Sequence, residues 1–275
     1  MATAIDFHKG PLVMGVVNVT PDSFSDGGDF LDSDLAVKHA LEMVQSGADI
    51  LDIGGESTRP GADPVSPEEE QRRILPVIEK LKESGCKIPI SVDTRHAETM
   101  QKLIEAGVDI INDISALTHD INSLSVASKA QIPVMLMHSK GLPKTMQDKP
   151  DYDDVVREVY DYLSERKRAC IYAGIDPKNI ILDPGIGFGK RLEDNLNLIK
   201  HIDKFHELNC PILLGTSRKS FIEKICSDTP PEKRLSGSLS SLLFALDKGV
   251  QIFRVHDVAE TVQAIKVWQA IKSGV

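Results

Sequence analysis

The chain has 275 residues, of which 41% are hydrophobic, and it carries a formal net charge of −9 at pH 7. Proteins that bind nucleic acids usually present an excess of lysine and arginine, so this charge argues against that class. No apolar run is long enough to span a bilayer, and residues 1–10 lack the basic and apolar stretches of a secretory signal, so we expect a cytoplasmic protein with no membrane partner.

Short apolar runs alternate with helical periodicity along the whole chain. The predicted strands are residues 13–19, 49–53, 88–92, 108–111, 132–137, 180–182, 211–214 and 251–255. Helical periodicity covers residues 35–45, 68–83, 97–106, 121–129, 155–173, a stretch starting near 220, an extra stretch over 235–248, and 258–271. Strands this apolar are typical of a parallel sheet buried on both faces. The pattern predicts an α/β protein: a parallel eight-stranded (β/α)8 barrel, also called a TIM barrel, as a single domain over residues 1–275.

Local signals support several helix boundaries. Ser66 is predicted to cap the helix that follows it, with Pro67 in the first turn and Glu69 closing a capping box. Glycines stand where four helices are expected to end, at Gly47, Gly85, Gly107 and Gly174.

Polar residues follow most of the predicted strands at their carboxyl ends, which is where the active site of this fold lies. They include Asn18, Asp93, Asn112, Asp183, Lys219, Arg254 and His256. An Asp or Asn at such a position is, taken alone, more often a helix N-cap than a ligand-binding group. Carboxylates, amides, cations and a histidine converging on one rim are not needed for capping, so we predict a ligand site there.

Two glycine-rich segments do not match better-known motifs. Residues 185–190 resemble a phosphate-binding loop, but Pro184 stands where that loop needs its first glycine. The glycine spacing in this segment also differs from that of the dinucleotide fingerprint. Residues 215–219 lack the closing glycine of a nucleophile elbow.

Longer segments resemble the signatures of the dihydropteroate synthase family. These are residues 14–28 (MGVVNVTPDSFSDGG), 52–62 (DIGGESTRPGA), 91–94 (SVDT), 112–113 (ND), 182–188 (LDPGIGF), 215–221 (GTSRKSF) and 254–258 (RVHDV), about one segment per strand. One departure lies in residues 137–141, which read MHSKG where the family usually has MHMQG. The resemblance implies a transferase that joins a pterin pyrophosphate to p-aminobenzoate on the route to folate, and a target of sulfonamides.

The resemblance also implies a role for individual residues. Pterin binding falls to Asp93, Asn112, Asp183 and Lys219, and pyrophosphate binding to Asn18, Arg254 and His256. Asn18 is implied as a ligand of Mg²⁺, which commonly uses few protein ligands together with phosphate oxygens and water. The catalytic residues are Asp93, Lys219, Arg254 and His256, and p-aminobenzoate is expected to meet Phe24, Thr58, Arg59, Pro60, Phe188 and Ser220. A homodimer is the family habit and the commonest soluble assembly.

Three alternatives remain open at the level of sequence. Another pterin barrel, a methyltransferase, would need a cobalamin partner and no pyrophosphate site. A Schiff-base aldolase would use Lys219 as its nucleophile, but such a lysine is expected within a buried strand, and Lys219 follows one. A catalytically silent pterin-binding barrel is possible because a fold does not fix a function.

Overall fold

The computed structural model of the chain describes residues 6–20, 28–57, 61–141, 144–148 and 150–274. Within these ranges the strands are β1 (Leu12–Asn18), β2 (Ile50–Gly54), β3 (Ile90–Asp93), β4 (Ile110–Asp113), β5 (Val134–Met137), β6 (Ile180–Asp183), β7 (Leu213–Leu214) and β8 (Ile252–Val255). The α-helices are α1 (Gly28–Gln45), α2 (Pro67–Glu83), α3 (Ala97–Glu105), α4 (Ser123–Ala130), α5 (Val155–Tyr172), α6 (Leu192–Lys200), α7 (Ser220–Cys226), α8 (Leu235–Asp247) and α9 (Val258–Ser273).

The strands form one parallel sheet in the order β6-β5-β4-β3-β2-β1-β8-β7. A parallel bridge between Leu182 and Ile212 joins the two ends of this order, and the Leu182 N–H donates to the carbonyl of Pro211 at 3.0 Å. Joining β6 to β7 in this way closes the sheet on itself, with helices between successive strands. The predicted (β/α)8 barrel is therefore confirmed.

Alternation along the strands sorts side chains between the barrel interior and the surrounding helices. The interior layer nearest the amino ends is apolar and contains Met14, Ile50, Ile110, Met135, Ile181, Leu213 and Ile252, with Phe7 packed against them. Each such buried side chain stabilises the fold by roughly 1.5–3 kcal/mol. Two residues further along the same strands, the inward positions are occupied by Val16, Asp52, Asn112, Met137, Asp183, Gly215 and Arg254. The period of two thus places a mainly polar layer directly above an apolar one, at the carboxyl ends of the strands.

The observed elements agree closely with those read from the sequence. All eight strands begin and end within two residues of their predicted bounds. The extra helix before the last strand is also present, as α8. Helix α6 was missed because its first turn carries Arg191 at the cap position, where the expected signal is a small polar residue; the Asp194 carboxylate accepts from the Arg191 backbone N–H instead, at 2.8 Å.

The predicted helix boundaries are confirmed with one exception. The Ser66 hydroxyl accepts from the Glu69 N–H at 3.3 Å, and Pro67 opens α2. The return half of the capping box is wrong, because the Glu69 carboxylate accepts from Arg72 and Arg73 rather than from Ser66. The four glycines predicted to end helices all have a positive φ, between 76° and 98°. Among the described residues, no helix combines the length and apolar character needed to cross a membrane.

Candidate active site

A cleft of about 440 Å³, partly open to solvent, lies at the carboxyl ends of the strands. Its polar lining consists of Asp93, Asn112, Asp183, Ser217, Lys219, Arg254 and His256. Its remaining lining consists of Ile114, Met137, Gly185, Ile186, Phe188 and Gly215. A few convergent polar groups among apolar walls are typical of a site for a small molecule.

The floor of the cleft is a hydrogen-bonded network that spans four strands. Arg254 on β8 donates from Nε to Asp52 Oδ2 at 2.6 Å and from Nη2 to Asp93 Oδ2 at 3.0 Å. Asn112 on β4 donates from Nδ2 to the same Asp52 oxygen at 3.1 Å. The network therefore fixes the side chains of Arg254, Asp93 and Asn112 relative to one another before any ligand binds.

Two carboxylates in the cleft have unusual proton affinities. Burial is the main cause that raises the pKa of Asp93 to about 7; the charge of Arg254 opposes this shift and the charge of Asp52 adds to it. Burial also raises the pKa of Asp183 to about 6, against the effect of its hydrogen bond from the Gly185 N–H at 2.7 Å. Both carboxyl groups consequently titrate close to neutral pH.

Lys219 precedes α7 and lies over the aromatic ring of Phe188, with Nζ at 4.1 Å from the ring centroid. Burial and the charge of Arg254 lower the pKa of Lys219 to about 8, and Asp183 and Asp93 oppose that shift. The amine therefore remains mostly protonated at pH 7 and presents a donor to the cleft.

His256 lies at the end of β8, next to the loop that follows β7. Its Nδ1 is 3.0 Å from the hydroxyl oxygen of Ser217, and this oxygen also accepts from the His256 backbone N–H at 3.2 Å. Burial and the cations of Arg254 and Arg218 lower the pKa of His256 to about 3, so its imidazole is neutral at pH 7. The free site therefore holds His256 in its neutral form.

The loop after β6 is held from below by Lys190, a lysine with only 1% of its surface exposed. Its Nζ donates to the carbonyls of Gly185 at 2.9 Å and Phe188 at 3.0 Å, and lies 2.9 Å from His138 Nδ1. Gly185 has φ +70°, and a Cβ there would lie 1.9 Å from the His138 carbonyl oxygen, so only glycine fits. Lys190 thus ties two loops together below the cleft, and it is not the lysine of a phosphate-binding loop.

The loop after β2 is anchored by a buried ion pair. The Arg95 guanidinium donates to both carboxylate oxygens of Glu56, at 3.1 and 2.8 Å, and the side chains are 7% and 6% exposed. The same carboxylate accepts from the Val65 N–H at 3.2 Å. Both ends of this loop are therefore attached to the barrel, although residues 58–60 between them lie outside the described ranges.

Comparison with known proteins supplies the context for this geometry. The profile of the family described as pterin binding enzymes matches residues 14–256. The chain is 48% identical to the dihydropteroate synthase of Neisseria meningitidis serogroup B over 266 residues, which cover 95% of this chain and 93% of that protein.

Solved structures agree with this match. The structure of the Xanthomonas albilineans dihydropteroate synthase with 4-aminobenzoic acid is 47% identical, with a TM-score of 0.90, over 96% of this chain and 94% of that one. The Yersinia pestis dihydropteroate synthase with a sulfonamide drug complex is 43% identical, with a TM-score of 0.92, over 98% and 97% of the two chains.

The chain belongs to the dihydropteroate synthase family of pterin binding enzymes. Six of the seven polar residues that were predicted to form one site line the cleft: Asp93, Asn112, Asp183, Lys219, Arg254 and His256. The seventh, Asn18, ends β1 on the same rim and is partly exposed, but it is not among the described residues that line the cleft.

The residues predicted to meet p-aminobenzoate divide into three groups. Phe188 lines the cleft beneath Lys219. Ser220 is exposed at the start of α7, a helix of only seven residues, and is not among the described residues lining the cleft. Phe24, Thr58, Arg59 and Pro60 lie outside the described residues.

Ser139 and Lys140, which depart from the family pattern after β5, are not among the described residues that line the cleft. The Lys140 ammonium lies 4.2 Å from the ring centroid of Tyr152 and donates to the Asp151 carbonyl. The Ser139 hydroxyl donates to the Gly141 carbonyl at 3.3 Å. These contacts are made within the loop region itself, so we expect the two exchanges to leave the pterin contacts unchanged.

Sequence reasoning missed three residues that support the site. Asp52 binds Arg254 and Asn112, Ser217 contacts His256, and Lys190 braces the loop after β6. A signal existed for Asp52, since it is the one charged residue of an apolar strand, 50–54. Ser217 contacts a residue 39 positions away, and Lys190 contacts one 52 positions away. No local sequence pattern predicts contacts over such separations.

Proposed function

We propose that the chain condenses 6-hydroxymethyl-7,8-dihydropterin pyrophosphate with p-aminobenzoate to give 7,8-dihydropteroate and pyrophosphate. The observation that carries the proposal is the convergence of Asp93, Asn112, Asp183 and Lys219 on one cleft that also contains Arg254 and His256. This combination offers hydrogen-bonding groups for a heterocycle edge and cations for a diphosphate within one cavity. The names of the relatives support the same reaction.

The proposed pterin pocket pairs the polar edge of the ring and covers its faces. A carboxylate at Asp183 can accept two parallel N–H bonds from the aminopyrimidine edge, while Asn112, Asp93 and Lys219 serve the other ring nitrogens and the carbonyl. Pairing each group matters because an unpaired buried polar group costs about 1–3 kcal/mol. Ile114, Met137 and Phe188 supply apolar surface for the ring faces.

The proposed pyrophosphate site uses Arg254, His256 and Asn18. The Arg254 guanidinium donates one N–H to Asp52 and one to Asp93, which leaves three of its five N–H donors for phosphate oxygens. Neutral His256 gains affinity for a proton when a dianionic group approaches, because the anion favours the charged imidazole.

Magnesium is proposed as the cofactor, with Asn18 as its protein ligand. The alternation of β1 points the Asn18 side chain to the barrel rim, and an amide oxygen is a donor that Mg²⁺ accepts. No group of three or more His, Cys, Asp or Glu side chains that could hold a metal occurs among the described residues. A single amide therefore fits a cation held mainly by phosphate and water. When bound, the ion would neutralise charge on the leaving pyrophosphate.

In the proposed reaction, pyrophosphate departs before the amine attacks. The bond between the exocyclic carbon and the pyrophosphate oxygen breaks, and its electron pair leaves with pyrophosphate. Arg254 and His256 hold the departing group, while the Asp93 carboxylate stabilises the positive charge delocalised over the ring. The nitrogen of p-aminobenzoate then forms the C–N bond and releases a proton. An arylamine is already neutral at pH 7, so this step needs no strong general base.

The proposal is tested by following pyrophosphate release with and without p-aminobenzoate. We expect release that depends on the amine and yields one dihydropteroate for each pyrophosphate. A methyltransferase or a silent pterin-binding barrel would release none. Borohydride treatment with a carbonyl substrate should leave Lys219 unmodified, since the lysine precedes a helix and serves as a hydrogen-bond donor.

Replacing Arg59 by Ala is expected to raise the KM for p-aminobenzoate far more than it weakens pterin binding. The family resemblance assigns Arg59 to the aminobenzoate side of the site, away from the cleft floor that binds the pterin. Steady-state kinetics with each substrate varied, together with calorimetry of pterin binding, measures both effects. Equal losses for the two substrates would argue against this role of the loop after β2.

Sulfonamides are expected to compete with p-aminobenzoate and to form a pterin adduct. They carry an arylamine in the position of the natural nucleophile, and a related synthase has been solved in a sulfonamide drug complex. Competitive inhibition against p-aminobenzoate, with adduct detected by mass spectrometry, checks this expectation. If the inhibitor leaves the apparent KM for p-aminobenzoate unchanged, the aminobenzoate assignment is wrong.

The same proposal includes a homodimer, a cytoplasmic location and a single barrel domain over residues 1–275. The homodimer is the prevalent assembly of soluble proteins. Size-exclusion chromatography with light scattering tests it directly.

A further inference from the structure

Asp52 lies beneath the cleft and is completely buried. It is not among the described residues that line the cavity. Its Oδ2 accepts from Arg254 Nε at 2.6 Å and from Asn112 Nδ2 at 3.1 Å. Among the described residues its Oδ1 has no hydrogen-bond partner.

The two donors come from opposite sides of Asp52 in the sheet. In the strand order, β4 lies two strands from β2 on one side, and β8 lies two strands away on the other. One carboxylate oxygen therefore links the residue proposed to bind pyrophosphate with a residue proposed to bind the pterin. Without this oxygen, Arg254 would keep its contact with Asp93 alone, and the Asn112 amide would lose its hydrogen bond to Asp52.

The bond to Nε has a particular consequence for the guanidinium. Because Nε belongs to the same plane as the two terminal nitrogens, a bond at Nε fixes the orientation of the whole plane. The second bond, from Nη2 to Asp93 Oδ2 at 3.0 Å, leaves the guanidinium little freedom to rotate within that plane. The remaining N–H groups then have fixed directions towards a bound anion.

We propose that Asp52 is a positioning residue that orients Arg254 and Asn112 together, so that pyrophosphate and pterin are held in the relative placement that bond cleavage requires. This inference rests on the proposed function, because that function assigns Arg254 to the pyrophosphate and Asn112 to the pterin of one substrate. Asp52 is completely buried and is not among the described residues that line the cleft, so it acts through these side chains.

A purely structural role makes a different prediction. A carboxylate that merely stabilised the barrel would, when neutralised, lower the melting temperature and leave the kinetic constants of the folded fraction unchanged. A positioning residue changes kcat or the KM for the pterin substrate and leaves the KM for p-aminobenzoate unchanged. Misplacing a reacting group by about 1 Å can cost on the order of 10²-fold in rate.

The test compares Asp52→Asn with the matched control Ser91→Ala. Ser91 is the cross-strand neighbour of Asp52, is equally buried, and its hydroxyl has no partner among the described residues. We expect Asp52→Asn to lower kcat/KM for the pterin pyrophosphate by about 10–100-fold with the KM for p-aminobenzoate nearly unchanged. Ser91→Ala should stay within about twofold of the parent for both substrates.

A double-variant cycle asks whether the loss passes through Arg254. If Asp52 acts through the guanidinium, Asp52→Asn combined with Arg254→Met should lose less than the product of the two single losses. Full additivity would overturn the proposal, and so would wild-type kinetics of folded Asp52→Asn, or a KM for p-aminobenzoate that rises as much as the KM for the pterin.

A measurement on the unsubstituted protein covers the case in which Asp52→Asn does not fold. NMR of the arginine side chains, with Arg254 assigned from the spectrum of Arg254→Met, should show a slowly exchanging Nε–H for Arg254 in the absence of ligand. A freely exchanging Nε–H would overturn the proposal, whatever the activity. If the parent protein releases no pyrophosphate in the presence of p-aminobenzoate while this signal is present, the proposed function fails and the positioning of Arg254 stands.

Discussion

Asp183→Ala is expected to abolish measurable binding of the pterin. In the proposed pose the carboxylate accepts two N–H bonds from the heterocycle, and hydrogen bonds to a charged group contribute about 1.5–3 kcal/mol each. Losing both corresponds to an affinity lower by at least about 100-fold. Isothermal titration calorimetry with the pterin measures this loss, and unchanged affinity would remove Asp183 from the edge of the ring.

Two further variants separate recognition from loop structure. The Asp183 carboxylate also accepts from the Gly185 N–H, so alanine removes a loop contact as well. Asp183→Asn keeps an oxygen for Gly185 but presents an amino group where the pterin needs an acceptor, so it should bind as poorly as alanine. Asp113→Asn is the matched control, since Asp113 is a fully buried acid whose oxygens bind Ser115 and Leu117. It should lower stability and leave pterin affinity intact.

The same assignment fixes the pH dependence of pterin binding. Burial raises the pKa of Asp183 to about 6, so the free site carries the carboxylate above that pH and the protonated acid below it. Only the carboxylate can accept both N–H bonds. Pterin affinity should therefore fall as the pH decreases below about 6. An affinity that rises on acidification would contradict the assignment.

The position of the site was predictable because it follows from two sequence patterns: the alternation of strands with helices, and the alternation of side chains along each strand. Strand–helix alternation predicts the barrel, and the barrel places the site at the carboxyl ends of its strands. Within a strand, the period of two then separates interior from exterior side chains. Asn112 and Arg254 could be assigned to one rim in this way before their contact with a common partner was known.

What could not be predicted depends on contacts between distant parts of the chain. The neutral state of His256 follows from its burial beside Arg254 and Arg218, which a sequence does not reveal. The role of Lys190 is similar, because a lysine is usually exposed and this one is enclosed by carbonyl groups of two loops. Residues 185–190 resemble a phosphate-binding loop in their glycine spacing alone. In the structure, Lys190 donates to the Phe188 carbonyl of its own loop.

Asp93→Asn is expected to lower kcat by roughly 10²–10³-fold, the size of effect seen when one electrostatic stabiliser of a transition state is removed. In the proposed reaction the Asp93 carboxylate faces the cation that forms when pyrophosphate leaves. Asparagine keeps the shape and one oxygen near Arg254 but removes the charge. Binding of the pterin should change much less than kcat, which pre-steady-state measurement of pyrophosphate release can separate from binding.

The stability of this variant should change in the opposite direction. Burial raises the pKa of Asp93 to about 7 from its ordinary value of 3.8, so the folded state holds this proton more tightly than the unfolded state does. A raised pKa contributes stability that is fully present below pH 3.8 and is lost as the pH rises through about 7. Ionised Asp93 therefore destabilises the fold at pH 8, and the neutral amide relieves this strain.

Thermal unfolding of the parent and of Asp93→Asn at pH 5 and pH 8 checks the linked expectation. The variant should gain stability relative to the parent at pH 8, and the gain should shrink at pH 5, where the parent already carries the proton. Such a result, combined with a loss of kcat, identifies a charge that the fold tolerates at a cost because the reaction needs it. The opposite result would be a variant that loses stability relative to the parent, with a larger loss at pH 8 than at pH 5. That result would show that the Asp93 carboxylate serves mainly as the partner of Arg254.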